Sequence, residues 1–129
     1  MAIKRYGGDK RGPGGMRLPF AQAVAADGWL YVSGQVPLAD GEIVDGGIVP
    51  LARKAIENML AVLKQAGYDA ADVVRVGVWL DDPRDFAPFN AVFAEYFGDQ
   101  PPARSCVQSA MMVDCKVELD CVAYKAADS

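Results

Sequence analysis

An arginine and a glutamate inside a predicted pair of strands are the residues of this sequence best suited to chemistry. The stretch Pro101–Tyr124 (PPARSCVQSAMMVDCKVELDCVAY) predicts two neighbouring strands joined by a tight connection, a late hairpin. Charged side chains in half-buried strands are costly unless they are paired or used. Arg104 offers a planar fork of donors that suits a carboxylate, and Glu118 can exchange a proton. Taken alone, the two residues are better explained as a structural ion pair than as an active site.

The chain contains no histidine, and this absence removes whole classes of mechanism. Ser-His-Asp and Cys-His nucleophile systems, His-ligated zinc and a His-based ribonuclease site are all excluded. The three cysteines, Cys106, Cys115 and Cys121, form no C-x-x-C pair, and an odd number in a reducing compartment disfavours both disulfides and a thiolate metal site. We therefore expect packing roles for the cysteines and no bound metal.

Length and charge limit the partners of the protein. A chain of 129 residues predicts one domain over residues 1–129, and the net charge of −4, without a basic block, disfavours nucleic acid. No apolar run approaches the roughly 20 residues of a membrane span. The N-terminal MAIKRYGGDKR has no hydrophobic segment behind its charges, unlike a secretory signal. We expect a cytoplasmic protein with no membrane and no nucleic-acid partner.

Turn residues divide the first half of the chain into strands. Ile3–Tyr6 predicts a short strand, and the glycine-rich loop Gly7–Gly15 that follows lacks the spacing of a phosphate loop. Two β-prone runs, Leu18–Ala25 and Trp29–Gln35, flank an Asp-Gly turn and predict a hairpin. The second run contains Gly34, where a bulge is favoured over the close approach of a ligand or another backbone segment.

Two apolar stripes with helical spacing predict two helices in the second half of the chain. The first runs from about Ile48 to Ala66 and ends before Gly67, and the second runs to Phe97 with Asp85 as a plausible N-cap. A strand over Val73–Leu80 lies between them. The order β-ββ-α-β-α-ββ predicts an α+β fold, a mixed six-stranded sheet with both helices on one face.

Alternation of side chains along each strand predicts what each sheet face carries. In the strand 73–80, Val74 should point to the helices together with the even-numbered residues. We expect the sheet face without helices to carry four side chains: Trp79, Arg104, Cys106 and Glu118. Such a mixed face is typical of one that meets another subunit, so the pattern predicts a homo-oligomer.

Six sequence segments occur together in a recognisable order and spacing. They are LPFAQAV (Leu18–Val24), LYVSGQVP (Leu30–Pro37), RKAIENMLAVLKQAG (Arg53–Gly67), DFAPFNAVFAEYF (Asp85–Phe97), PPARSCV (Pro101–Val107) and KVELD (Lys116–Asp120). The most specific part is P-A-R-S-x-V followed by V-E-[IL]-[ED]. Between Leu18 and Asp120 the chain resembles the Rid/YjgF family of reactive-intermediate deaminases.

The resemblance implies a chorismate-mutase-like α+β fold and a homotrimer with ligand clefts between subunits. It implies hydrolysis of reactive 2-enamine and 2-imino acids, such as 2-aminoacrylate, to 2-keto acids and ammonia, with no cofactor and no metal. The small-molecule partner would be an imino or keto acid. In this resemblance Arg104 grips the substrate carboxylate, and Glu118 positions or activates water and handles protons. The other implied substrate-binding residues are Gly34, Cys106, Ser33, Asn90 and Phe20.

Two departures from the family pattern bear on the substrate. Phe20 stands where many members have a tyrosine in the cleft, so a hydroxyl is missing. The connection 111–115 is one residue shorter than the common form and lacks its Leu-Pro. A more apolar cleft favours imino acids with larger side chains. Two other functions stay open, a trimeric binder of small carboxylic or 2-keto acids without catalysis, and a stress-related interaction or ribonuclease role ascribed to some relatives.

Overall fold

The computed structural model describes residues 2–9 and 11–126, and within them a six-stranded sheet carries two helices. Lys10 of the predicted loop and both ends of the predicted domain lie outside the described residues, and the single domain over 1–129 stays a prediction. In chain order the elements are β1 (Lys4–Tyr6), β2 (Ala23–Ala26), β3 (Trp29–Gln35), β4 (Leu38–Ala39), β5 (Glu42–Ile43), α1 (Ile48–Gln65), β6 (Val73–Leu80), α2 (Phe86–Phe97), β7 (Ala103–Gln108) and β8 (Val117–Tyr124).

The large sheet has the strand order β1-β2-β3-β8-β6-β7, while β4 and β5 form a separate small hairpin. Only β6 and β7 pair in parallel, and every other pair in the large sheet is antiparallel. The prediction of a mixed six-stranded sheet with two helices is therefore confirmed. Neither helix among the described residues has the length and hydrophobicity needed to cross a membrane.

The prediction that the last two strands form a hairpin is wrong, because β6 lies between β7 and β8. The α2 crossover returns the chain to one side of β6 as a parallel strand, and β8 enters on the other side, between β6 and β3. The segment joining β7 to β8 passes the end of β6. There the Ser109 N–H donates to the Leu80 carbonyl (2.9 Å), and the Asp81 N–H donates to that of Lys116 (3.1 Å).

This order of strands also changes which residues share a face. Arg104 lies beside the buried Val76, so its side chain points to the helices, and Cys106 on the same strand does likewise. Glu118 lies beside Trp79 on the face without helices. The predicted common face for Trp79, Arg104, Cys106 and Glu118 is therefore wrong, because it assumed that β7 and β8 were direct neighbours.

Two bulges adjust the sheet locally. The register between β6 and β8 shifts between Val73 and Arg75, so Val73 is buried (6% exposed) and Val74 is exposed (42%). The prediction that Val74 faces the helices is wrong for this reason, since an extra residue reverses the alternation before it. A second shift, between Val32 and Gln35, confirms the bulge expected at Gly34.

The first hairpin turn and two helix ends lie where the sequence predicts them. Asp27 and Gly28 both have positive φ (52° and 88°) between β2 and β3, the geometry of a type I′ hairpin turn. Helix α1 ends at Gln65, before Gly67 as predicted, and Gly67 has a positive φ (88°) with its N–H donating to the Lys64 carbonyl. Asp85 occupies the predicted N-cap position of α2, but its side chain makes no capping hydrogen bond. It belongs to a 3-10 turn, Pro83–Asp85, that precedes α2.

One hydrophobic core lies between the sheet and the helices. The apolar face of β8 packs against α1, and α2 packs against α1. The largest fully buried side chains are Phe89, Leu30, Ile56, Met59, Leu63, Leu80 and Leu119. Since β8 lies between the two halves of the sheet, one of its faces belongs to the core and the other carries Glu118.

Candidate functional site

Arg104 is held against α2 by aromatic rings and one amide. The carbon of its guanidinium lies 4.8 Å from the ring centre of Phe93, 5.6 Å from that of Phe89 and 5.8 Å from that of Phe86. Its Nη2 donates a hydrogen bond to Oδ1 of Asn90 at 2.6 Å. The helix presents these four side chains at i, i+3, i+4 and i+7, which is one face of a helix. Three rings and an amide therefore fix the cation in place without neutralising it.

The rest of the guanidinium has no acidic partner in the part of the chain that the structure describes. No carboxylate there lies within 4.0 Å of Arg104. Beside it is a cavity of about 270 Å³, whose lining includes Asn90, Phe93 and Pro102. Because Asn90 takes only one donor, the remaining N–H groups of Arg104 can bind an incoming carboxylate.

Cys106 lies two residues further along the same face of β7. Its side chain is half-buried and packs against the core. Burial raises the pKa of the Cys106 thiol, and the nearby Arg104 only partly opposes this. A raised pKa keeps the sulfur protonated, so the structure favours packing over a nucleophilic role.

Glu118 occupies a different environment on the opposite face of the sheet. Its carboxylate lies directly over Gly34, where an added β-carbon would overlap Oε2 and come within 3.0 Å of Cδ. Burial raises the pKa of Glu118, and the nearby carboxylate of Asp120 raises it further. A carboxyl group of this kind exchanges protons closer to neutral pH than a solvated one. Gly34 is therefore required for space, in addition to the bulge it forms.

Glu118 lies at the wall of a cavity of about 290 Å³. Phe20 lines the same cavity with its side chain half exposed, and Gly34 contributes backbone. Ser33 does not line it, because its hydroxyl donates to the Ala21 carbonyl at 2.7 Å. Ser33 thus holds the segment that carries Phe20.

The predicted site residues therefore fall into two groups, one on each face of the sheet. The cationic half-site, on the helix face, consists of Arg104, Asn90 and Cys106. The carboxyl half-site, on the other face, consists of Glu118, Gly34 and Phe20, with Ser33 behind it. Within one chain the sheet separates the two groups.

Sequence reasoning missed several neighbours of these residues. The phenylalanines around Arg104 were attributed to the core alone, although Phe86 extends their stripe by one turn toward the N-terminus of α2. Asp120 is also close to Glu118, two residues away on the same strand face, and its carboxylate lies over Gly77. The glycines at positions 34 and 77, each of which leaves space for a carboxylate, were the signal in the sequence that could have located these acidic neighbours. Among residues 2–9 and 11–126, no three Cys, Asp or Glu side chains are grouped as metal ligands.

Comparison with known proteins identifies the class that this fold and these residues define. The family model described as Endoribonuclease L-PSP matches residues 15–125. A RutC family protein of Pyrococcus horikoshii is 44% identical over 110 residues, which is 83% of this chain and 87% of that protein. The 2-iminobutanoate/2-iminopropanoate deaminase of Homo sapiens is 36% identical over 126 residues, 95% of this chain and 91% of the relative.

A solved structure agrees with these relatives. The crystal structure of E. coli TdcF with bound serine has a TM-score of 0.82 and 32% sequence identity, covering 95% of this chain and 100% of that one. The chain belongs to the Rid/YjgF family. The resemblance found in the sequence segments is thereby confirmed.

Proposed function

We propose that this protein is a cofactor-independent deaminase that hydrolyses reactive 2-enamine and 2-imino acids to 2-keto acids and ammonia. The observation that carries the proposal is the pair of half-sites. One offers a fixed cation with free donors, and the other a desolvated carboxyl group. The human relative is named for this reaction, and the E. coli neighbour is described with bound serine, which has a carboxylate and an amino group.

The chemistry requires few groups. Arg104 binds the substrate carboxylate, which fixes the imine carbon relative to Glu118. An enamine first takes a proton on its β-carbon and becomes the iminium ion. Water then adds to the C=N carbon while Glu118 accepts its proton, and the same group returns the proton to nitrogen. The C–N bond breaks and ammonia leaves, while the hydroxyl group gives its proton to Glu118 and forms the C=O bond of the keto acid. The raised pKa of Glu118 supports a group that both accepts and donates.

The two half-sites require a second subunit in this proposal. Arg104 and Glu118 lie on opposite faces of one sheet, so one small substrate cannot contact both in the same chain. The face without helices exposes large apolar side chains, including Tyr31 (53% exposed) and Val107 (50%), as an interface would. We propose a homotrimer, following the family resemblance, in which the cationic half-site of one subunit meets the carboxyl half-site of the next. We also propose that it acts in the cytoplasm.

One assay tests the enzymatic proposal. A 2-imino acid is generated in situ with an amino-acid oxidase or a PLP lyase, and its trapping by semicarbazide is followed with and without the protein. Wild type should suppress trapping, and Arg104→Ala should suppress it about a hundredfold less efficiently or worse. Arg84→Ala is a matched control, because that arginine is exposed and pairs with Asp82. Equal suppression by Arg104→Ala, or none by wild type, contradicts the proposal.

A binding function without catalysis is the second candidate. The cationic half-site is complete without Glu118, and it would hold a small carboxylic or 2-keto acid unaided. In that case calorimetry would detect 2-ketobutyrate binding while no imino acid is hydrolysed faster. A ribonuclease role is disfavoured by the absence of histidine and by the net charge of −4. The same negative charge disfavours binding of nucleic acid in general.

A further inference from the structure

The cavity at Glu118 is apolar except for that one carboxyl group and a few amides. Besides Glu118 and Gly34, its walls are made mainly of Met16, Leu18, Phe20, Val36, Leu38 and Met112. They come from three separate segments, the loop before β2, the end of β3 with its continuation, and the connection between β7 and β8. Among the described residues, no other charged side chain lines the cavity. Apolar groups brought together from such distant parts of the chain form a surface that favours an apolar ligand.

Two glutamines at this cavity are joined to each other by a hydrogen bond. Nε2 of Gln35 donates to Oε1 of Gln22 at 3.0 Å and to the Ser33 carbonyl at 3.2 Å. Both glutamines are buried, and the Ser33 hydroxyl is taken by the Ala21 carbonyl. A ligand with a polar side chain would lose its water here against walls that are mostly apolar. The walls thus select against polar side chains as well as for apolar ones.

Met112 is the most unusual of these wall residues, since its side chain is fully exposed. An unbranched thioether is flexible and fits apolar ligands of different shapes. Phe20, at 46% exposure, lies at the same cavity with its ring accessible. Both side chains would lose water-exposed apolar area on contact with a substrate side chain, and a methyl group is too small to cover them.

From these contacts we infer that the site prefers 2-imino acids with large aliphatic or thioether side chains, such as those from leucine and methionine, over 2-iminopropanoate. This inference rests on the proposed function. With the carboxylate at Arg104 of one subunit and the imine carbon near Glu118 of the next, the substrate side chain lies against the wall of Leu18, Phe20 and Met112. Each buried methylene favours the larger substrate by about fourfold.

The test is a series of imino acids made in situ by an L-amino-acid oxidase from alanine, 2-aminobutyrate, norvaline, leucine and methionine. The kcat/KM of wild type should rise along the series, by about tenfold or more from the alanine product to the leucine or methionine product. Met112→Ser and Leu18→Ser should lower the ratio of the leucine to the alanine value by about fivefold or more. Met111→Ser is the matched control, because Met111 does not line the cavity, and it should leave the ratio unchanged.

The outcomes separate this inference from the proposed function. If no imino acid in the series is hydrolysed faster, the proposed function itself is wrong. If all are hydrolysed but kcat/KM is flat or falls with side-chain size, only the preference is wrong. The preference would also be wrongly assigned if kcat/KM rises with side-chain size but the ratio of the leucine to the alanine value is the same in Met112→Ser, Leu18→Ser and wild type. The preference would then arise from other residues.

Discussion

The two half-sites differ in how the protein treats their charged groups. Arg104 is enclosed by three phenylalanine rings and hydrogen-bonded by Asn90, so its position is fixed before any ligand arrives. Glu118 has no hydrogen bond or ion pair of this kind within residues 2–9 and 11–126. It lies in space left by Gly34, and burial raises its pKa. The first arrangement suits binding of an anion, and the second suits movement of a proton.

The sheet between these groups explains how both can persist. If Arg104 and Glu118 paired within one chain, the guanidinium would lower the pKa of the carboxyl group, and the carboxylate would occupy the donors of the arginine. The sequence alone favoured that ion pair. The strand order prevents it, because β7 and β8 present the two residues to opposite faces. Because the sheet separates them, the guanidinium of Arg104 keeps its donors for a ligand and Glu118 keeps its raised pKa.

The largest expected effect comes from dividing the two half-sites between chains. Arg104→Ala and Glu118→Gln should each lower kcat/KM by about a hundredfold or more. Refolding an equal mixture of both variants should restore activity to about a quarter of the wild-type value, because one site in four then receives an intact group from each subunit. The measurement is imino-acid hydrolysis by each variant alone and by the mixture.

A second mixture is the control for that experiment. Wild type refolded with an equal amount of the double variant should retain about a quarter of the activity if sites lie between subunits. It should retain about half if each chain has its own complete site. Retention of half, together with no recovery in the first mixture, would show that the half-sites do not meet across subunits.

A smaller effect is expected from filling the space beneath Glu118. Gly34→Ala places a β-carbon on the carboxylate, which must move away from its position over β3. We expect kcat/KM to fall by about tenfold to a hundredfold while KM changes less, since the binding arginine is untouched. Gly8→Ala is the control, because a β-carbon at Gly8 meets nothing within 4 Å. Unchanged kcat in Gly34→Ala would refute the requirement for this space.

The smallest effect is on stability. Because burial raises the pKa of Glu118, the folded protein holds that proton more tightly than the unfolded chain does. Folding stability is therefore lost as the pH rises from the usual pKa of glutamate through the raised value. Glu118→Gln should increase Tm by about 1–3 °C at pH 8 and leave it unchanged in acid. The exposed Glu42→Gln is the control, and a Tm increase in acid for Glu118→Gln would contradict the direction of the shift.

Local patterns predicted the elements well, but they did not predict which strands are neighbours. Gly67 and the Asp-Gly turn at residue 27 specify their own backbone conformations, so the helix end and the first hairpin could be located from sequence. The position of β8 depends on pairings with β3 and β6, which are distant in sequence, and no local signal distinguishes this arrangement from a hairpin with β7.

The candidate site shows the same limit. Arg104 and Glu118 could be chosen because charge in a strand needs a reason, and the family segments assign them roles. Their opposite faces could not be predicted, since the face of Arg104 follows from parallel pairing with Val76. The cavity walls were also missed, because Leu18 and Met112 are almost a hundred residues apart and have no pattern in common.

The central place of β8 has a consequence for synthesis of the protein. This strand alone joins the sheet half β1-β2-β3 to the half β6-β7, and it is the last element of the described chain to leave the ribosome. Until it is made, β3 and β6 each expose an unpaired edge, so the nascent chain is two partial sheets open to association with other chains. Loss of a few C-terminal residues of β8 would remove pairs with both β3 and β6 in the middle of the sheet, whereas the same loss from β1 would only shorten an edge.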